Sequence, residues 1–205
     1  MLTKPNLSLD PAPDDSNRIA WALGYILHPF VLFPPSAALT LRHEPPLHSL
    51  GWIALIGAMT MLPTGIVMIW QQRRGKFLWQ RSSRLPVYIV GWICGVWCLL
   101  KLLALGAPER IIVCNVAMLV WVPAQAFINQ RYTKISGHAA SSMGVAVGLG
   151  MLGELNSPPM ALTAILVVGL TAWARRVTKN HTPQQIWLGW LVAGLTVGGT
   201  FALLL

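Results

Sequence analysis

Acidic side chains are scarce in this chain, which has 6 Asp and Glu residues against 15 Lys and Arg residues. No carboxylate lies inside any of the long apolar segments, and no pair of broken helices is repeated along the chain. Ion-coupled transporters use carboxylates within the membrane or repeated broken helices to bind the coupling ion. Because both are missing, the sequence disfavours that class of function.

Cysteine is equally sparse, with 3 residues in 205. Cys94 and Cys98 lie four residues apart in one predicted helix, and Cys114 lies in another. This arrangement favours apolar packing over a disulfide framework, and we expect neither a redox role nor a metal site from it.

Charged residues make up only 10% of the chain, whereas apolar residues make up 55%. Several apolar runs are near twenty residues long, which is enough to cross the hydrocarbon of a bilayer. We therefore predict an integral multi-pass membrane protein with an all-α fold, a polytopic transmembrane bundle of about six to seven helices. The apolar segments are residues 18–42, 49–70, 85–105, 110–130, 138–153, 159–177 and 183–205.

Residues 1–17 are predicted to be a polar tail, because they lack the apolar core of a signal peptide. Residues 18–205 are predicted to form a single transmembrane domain, since no long linker or internal repeat divides them. Within the first segment, His28-Pro29 and Pro34-Pro35 remove backbone donors and predict a bent or partly re-entrant helix.

Two glycine pairs have the spacing of small residues at close helix contacts. Gly144 and Gly148 lie in the fifth segment, and Gly194 and Gly198 repeat the spacing in the last. We predict close packing at both pairs.

The lysines and arginines fall mainly on one side of the predicted bundle. Only Arg42, Lys101 and Arg110 of the 15 lie elsewhere. The positive-inside rule then makes this side and the N-terminus cytoplasmic, in a membrane that we take to be a bacterial cytoplasmic membrane. Because these cations lie at helix ends, where they meet lipid headgroups or a phosphorylated substrate, we expect no nucleic-acid partner.

Three polar clusters are separated by predicted helical hairpins. They are residues 73–84, 131–138 and 175–181. Each hairpin returns the chain to the face from which it started, whereas a missed helix would place two clusters about 30 Å apart. The three clusters are therefore predicted to share one membrane face.

Two spacings in these clusters carry a resemblance to a known family. One is Ile135-Ser136-Gly137-His138; the other is Ala174-Arg175, then His181 after five residues and Gln185 after three more. A looser first motif runs from Lys76 to Arg84, with Arg81 three residues before Arg84. Over residues 70–195 the chain resembles the type-2 phosphatidic acid phosphatase family of membrane lipid phosphatases, which is related in fold to vanadium haloperoxidases.

The resemblance implies a phosphatase mechanism and a core of that family's type. His181 would be the nucleophile, His138 would protonate the leaving oxygen, and Arg175 would stabilise the transferred phosphoryl group. No metal or other cofactor is implied. The substrate would be a lipid phosphate or an isoprenoid (polyprenyl) diphosphate. The remaining phosphate-binding residues would be Lys76, Arg81, Arg84, Ser136 and Gly137.

The chain also departs from the family pattern. Gln185 stands where the family has an Asp that hydrogen-bonds the nucleophilic histidine, so we expect reduced activity. The alternative interpretation is a family-derived subunit that scaffolds a larger membrane protein complex without turnover. We assign no chemistry to His28, which we interpret as a polar contact within the broken first segment. We assign none to the residues that are predicted to lie on the opposite membrane face, namely His43, His48, Glu154 and Asn156.

Overall fold

The computed structural model describes residues 16–78 and 80–205, and within them the chain is helical without a strand. The predicted all-α fold is confirmed, whereas the predicted tail lies outside the described residues except for its last two. Nine α-helices are present in the described part. They are α1 (Arg18–Ile26), α2 (Pro29–Thr40), α3 (Pro46–Ile56), α4 (Leu62–Arg73), α5 (Leu85–Ala104), α6 (Glu109–Arg131), α7 (Gly137–Met151), α8 (Pro158–Val177) and α9 (Pro183–Leu204).

Five helical stretches are long and apolar enough to cross a membrane, and the count becomes six if α1 and α2 form one bent span. One of the five joins α3 to α4 through a π-helical turn, Gly57–Met61. The upper end of the predicted six to seven helices is wrong, because α7 has only 15 residues. At 1.5 Å per residue it is about 22 Å long, which is shorter than the hydrocarbon.

The first apolar segment is broken where His28 precedes Pro29, and α1 and α2 meet there at 47°. His28 begins α2 as its N-cap, with its ring Nδ1 accepting a hydrogen bond from the Phe30 N–H at 3.2 Å. The second predicted interruption is absent, since Pro34 and Pro35 lie inside α2. Membrane helices tolerate such prolines when neighbouring groups satisfy the freed carbonyls.

Helix α7 lies in the middle of the bundle and packs against α9, α8 and α2. The predicted close packing is confirmed at Gly144 and Gly148, which contact Val197 and Phe201 of α9. It is also confirmed at Gly198, where an added β-carbon would lie 3.5 Å from Val147 of α7, but it is wrong at Gly194, where an added β-carbon meets no atom within 4 Å in the described part of the chain.

The reason for this difference is helical periodicity. The α9 residues at the centre of the contact with α7 follow a four-residue spacing, and Gly194 and Gly198 each lie one residue beyond this stripe, at its edge, where only Gly198 meets an α7 side chain. The α9 stripe consists of Gly189, Ala193, Val197 and Phe201.

A polar cluster closes the end of the bundle where α6 begins. Glu154 is only 1% exposed and lies 2.6 Å from both Arg42 Nε and Arg110 Nη1, with His43 Nε2 at 3.8 Å. Arg131, at the other end of α6, is about 32 Å away from Arg110 along the helix. These residues are therefore remote from the predicted phosphate site, as the sequence indicated for Glu154 and His43.

Candidate active site

Two arginines that follow α4 hold the end of α6 in place. Arg81 donates through Nε to the carbonyl of Asn129 and through Nη1 to that of Tyr132 at 3.4 Å. Arg84 Nη1 donates to the carbonyl of Ile135 at 2.7 Å and to Asn129 Oδ1 at 3.4 Å. Both guanidinium groups thus bind main-chain carbonyls next to the first turn of α7.

The first turn of α7 is fixed by its cap and by α9. Ser136 is fully buried, and its hydroxyl accepts a hydrogen bond from the Ala139 N–H. Its own N–H donates to the carbonyl of Gln185 at 3.2 Å. A β-carbon on Gly189 would lie 2.9 Å from the Ser136 carbonyl oxygen, so only glycine permits this approach. His138 is thereby brought close to the start of α9.

A five-residue connection carries the chain from α8 to α9. The Thr178 hydroxyl bonds back to the preceding helical turn, and Asn180 Nδ2 donates to that hydroxyl at 2.7 Å. Lys179 takes a left-handed conformation with φ of 52°, which ends the helix. The His181 N–H then donates to the carbonyl of Arg175 at 3.2 Å. The connection therefore places His181 and Arg175 side by side.

The orientation of the His181 ring is determined by Gln185. Gln185 Oε1 accepts a hydrogen bond from the Thr182 N–H at 3.3 Å and lies 3.0 Å from His181 Nδ1. A backbone N–H can only donate, so it is the oxygen of the amide that faces this position, and this oxygen can only accept. Nδ1 must then carry the hydrogen, which leaves the lone pair of the neutral imidazole on Nε2.

The surroundings of His181 keep its ring uncharged. The side chain is buried, and burial is the main reason why its pKa lies well below the usual value of 6.5; the positive charges of Arg84 and Lys134 lower the pKa further. The hydrogen bond with Gln185 acts in the opposite direction but does not outweigh them. A neutral histidine at pH 7 has the nucleophilic form of the ring.

His138 lies at the centre of the site. Arg175, His28, His181 and Arg84 are all close enough to interact electrostatically with its imidazole. Its ring packs edge-on against that of His28, with 4.8 Å between the ring centroids. The structure therefore brings two predicted histidines and two predicted arginines together.

Helix α1 covers Arg175. The position that a β-carbon would take on Gly24 overlaps Nη2 of the Arg175 guanidinium, so a side chain at residue 24 would displace the guanidinium from its present position. Arg175 Nε is buried and makes no hydrogen bond to any residue that the structure describes. Buried arginine donors usually have acceptors.

A surface depression of about 500 Å³ lies next to His181. Its wall includes Lys134, Arg176 and Lys179, together with Thr182 and Gln185 of the α9 cap. None of the three cations was a predicted site residue. From the sequence alone, they served only to predict which membrane face is cytoplasmic. His181 borders this depression and also interacts with half-buried His138, so it connects the surface with the interior of the site.

The other predicted site residues occupy different positions. Ser136 and Gly137 directly precede His138 at the start of α7, whereas Arg81 is turned towards the end of α6. Lys76 is exposed after α4 and does not belong to the described charges that act on either histidine. The sequence did not identify His28 or Gly24, because both reach the site through the bend and packing of α1 and α2.

Comparison with protein-family models, with curated proteins and with solved structures finds no match for this chain. The motif resemblance and the roles that it implies therefore stay predictions.

Proposed function

We propose that this protein is a membrane phosphatase that removes phosphate from a lipid phosphate or isoprenoid diphosphate through a phosphohistidine on His181. One observation carries the proposal. Gln185 fixes the His181 tautomer so that the Nε2 lone pair is available, while Arg84, Lys134 and Arg175 supply positive charge around the same ring.

In the first step, His181 Nε2 attacks phosphorus. The bond between phosphorus and the lipid oxygen breaks, the electron pair leaves with that oxygen, and the oxygen takes a proton from His138. The products are the phosphohistidine and a lipid alcohol, or a lipid monophosphate when the substrate is a diphosphate. Arg175 Nε, which has no described acceptor, is suited to a phosphate oxygen.

In the second step, water attacks the phosphohistidine and gives a proton to His138. The phosphorus–nitrogen bond breaks, its electron pair returns to His181 Nε2, and inorganic phosphate leaves. The depression lined by Lys134, Arg176 and Lys179 provides the route from the site to solvent. The charge distribution favours a cytoplasmic position for this face in a bacterial cytoplasmic membrane.

The test is phosphate release by the purified protein from phosphatidic acid and from farnesyl diphosphate in mixed micelles. We expect turnover that is inhibited by orthovanadate and falls to background in His181→Ala and His138→Ala. His43→Ala is the matched control, because His43 lies at the other end of the bundle. Equal turnover in wild type, His181→Ala and His138→Ala would exclude the mechanism.

A second candidate function is a structural subunit of a larger membrane complex. The hydrogen bonds of Arg81 and Arg84 favour it, since these predicted phosphate ligands hold main-chain carbonyls. Stoichiometric co-purification with other membrane subunits, combined with no phosphate release above background, would support this function over the enzyme.

A further inference from the structure

A cavity of about 230 Å³, which is partly open at the surface of the bundle, lies between α2, the π-helical turn, α6, α7 and α9. Its wall follows one face of α2 from Pro29 to Thr40 and one face of α7 from Ser141 to Leu149. Eleven residues of α-helix rise about 16 Å, whereas a sphere of this volume would be only about 8 Å across. The cavity is therefore a narrow channel that runs parallel to the helices.

One end of the channel meets the candidate active site. Pro29 directly follows His28, whose ring packs against that of His138, and Ser141 lies one helical turn beyond His138. The channel then continues towards the bundle end that holds Glu154. Its length of about 16 Å is close to half the thickness of the hydrocarbon of a bilayer, which is the depth of one leaflet.

The channel wall is apolar although several hydroxyl groups belong to it. The side chains of Ser36, Thr40, Thr60 and Ser141 donate to carbonyls one turn earlier in their own helices. Their hydroxyl groups are therefore satisfied within the protein, and the space between the helices is suited to hydrocarbon.

Two polar atoms of the wall, Asn115 Oδ1 and Trp121 Nε1, have no hydrogen-bond partner among the described residues. Asn115 is 6% exposed, and its Oδ1 accepts no hydrogen bond from any residue that the structure describes. Buried amide oxygens rarely lack a donor. These two atoms are the polar exceptions in a wall that is otherwise suited to hydrocarbon.

We infer that the channel holds a single hydrocarbon chain of the phosphorylated lipid whose head group lies at His138 and His181. This inference rests on the proposed function and specifies its substrate class. A narrow channel accepts one chain, so single-chain phosphates of the isoprenoid type are preferred over phosphatidic acid, which has two chains. The phosphate end then projects from the Pro29 end of the channel towards the histidines.

The test uses Ala37→Phe, which fills the channel from α2, and Ala38→Phe as its matched control. Ala37 is buried in the channel wall, whereas Ala38 is exposed and points away from it. We expect Ala37→Phe to lower kcat/KM for farnesyl phosphate by about tenfold, which corresponds to roughly 1.4 kcal/mol. Turnover of p-nitrophenyl phosphate, which has no chain, should change less than about twofold, and Ala38→Phe should affect neither substrate.

Wild-type protein should also prefer farnesyl phosphate over dioleoyl phosphatidate in kcat/KM. Equal loss of both farnesyl phosphate and p-nitrophenyl phosphate turnover in a folded Ala37→Phe variant would overturn the inference, as would unchanged farnesyl phosphate turnover. If Ala37→Phe does not fold, Leu32→Trp blocks the channel at another point of α2 and is expected to give the same result.

Binding of farnesol separates this inference from the proposed activity. Farnesol should raise the unfolding temperature of wild type and of Ala38→Phe but not that of Ala37→Phe. Farnesol binding without any phosphate release would support the inferred channel and contradict the proposed phosphatase activity. Absence of farnesol binding in wild type would contradict the inferred channel, whether or not phosphate is released.

Discussion

The guanidinium group of Arg175 occupies the space that a side chain on Gly24 would need. Helix α1 therefore determines where the arginine of the site can lie, although the two residues are 151 positions apart in the sequence. A phosphate-binding arginine that is displaced by an ångström loses most of its effect on a transition state.

Gly24→Ala should impair the site without unfolding the protein. Alanine is favoured over glycine within a helix by about 1 kcal/mol, and the far end of an arginine side chain can shift to make room. We expect an unfolding temperature equal to or above that of wild type, with phosphate release reduced roughly 10- to 100-fold. Gly169→Ala in α8 is the control, because its β-carbon meets nothing within 4 Å in the described residues. Unchanged activity in Gly24→Ala would contradict the assigned role of Arg175.

Gln185→Glu should increase activity. Glutamate has the same reach, so it can accept from the Thr182 N–H and from His181 Nδ1 as the amide oxygen does. Its negative charge raises the pKa of His181 and stabilises the positive charge that forms on the ring during attack. We expect phosphate release to rise about tenfold, equivalent to one pKa unit.

Gln185→Leu is the opposite variant, since it removes both hydrogen bonds and should abolish turnover. Gln185→Asp supplies the charge with a shorter side chain and should give a smaller gain than Gln185→Glu. A site that stays silent in both charged variants would instead indicate a structural subunit.

The stability of the protein should fall as the pH drops below about 6.5, where an unfolded histidine takes up a proton. Folded His181 resists protonation because its pKa lies well below that value. The unfolded state then binds more protons, so the stabilising contribution is complete above pH 6.5 and is lost as the pH falls towards the folded pKa. The unfolding temperature in detergent should be measured between about pH 4.5 and 7.5, a range that contains the pKa of an unfolded histidine. It should change less with pH in His181→Ala than in wild type. Identical profiles would mean that His181 is not buried in its neutral form.

Gly189→Ala should destabilise the contact between α7 and α9. The added β-carbon would press on the main-chain carbonyl of Ser136, which cannot move without shifting the first turn of α7. We expect a loss of about 1–3 kcal/mol in the free energy of unfolding and a parallel loss of phosphate release. Gly194→Ala, five residues later in the same helix, should be neutral or stabilising by up to about 1 kcal/mol. Equal effects of the two substitutions on unfolding would contradict this packing.

Arg42→Met and Arg110→Met should act together on stability. Each arginine is partly exposed, so losing one should cost about 1 kcal/mol, whereas losing both leaves buried Glu154 without either partner and should cost about 3 kcal/mol. A double-mutant cycle on the unfolding temperature measures this coupling, with exposed Lys101→Met as control. Phosphate release from the remaining folded protein should stay unchanged, since the cluster lies at the other end of the bundle.

The meeting of His138, Arg175 and His181 followed from counting helices in the sequence. A helical hairpin returns the chain to the membrane face from which it started. The face on which a loop lies can therefore be predicted without exact helix boundaries. The same reasoning placed Glu154 at the opposite end, but it did not reveal that two arginines bind this carboxylate, because loop charges carry no information about their partners.

The contributions of His28 and Gly24 could not be read in this way. Both depend on how far the first segment bends and on which face of α1 turns towards α8, and neither quantity is encoded in a local pattern. The spacing of Gly194 and Gly198 predicted the contact of Gly198 with α7 but not the open space beside Gly194, since a pair of small residues does not specify which neighbour each of them faces.

The break after α1 lies between the part of the bundle that covers Arg175 and the part that encloses the apolar channel. The helix before the break lies over the arginine that would bind the head group, and the helix after it forms a wall of the apolar channel. Any change in the angle between α1 and α2 would therefore alter the space around Arg175 and the width of the apolar channel together.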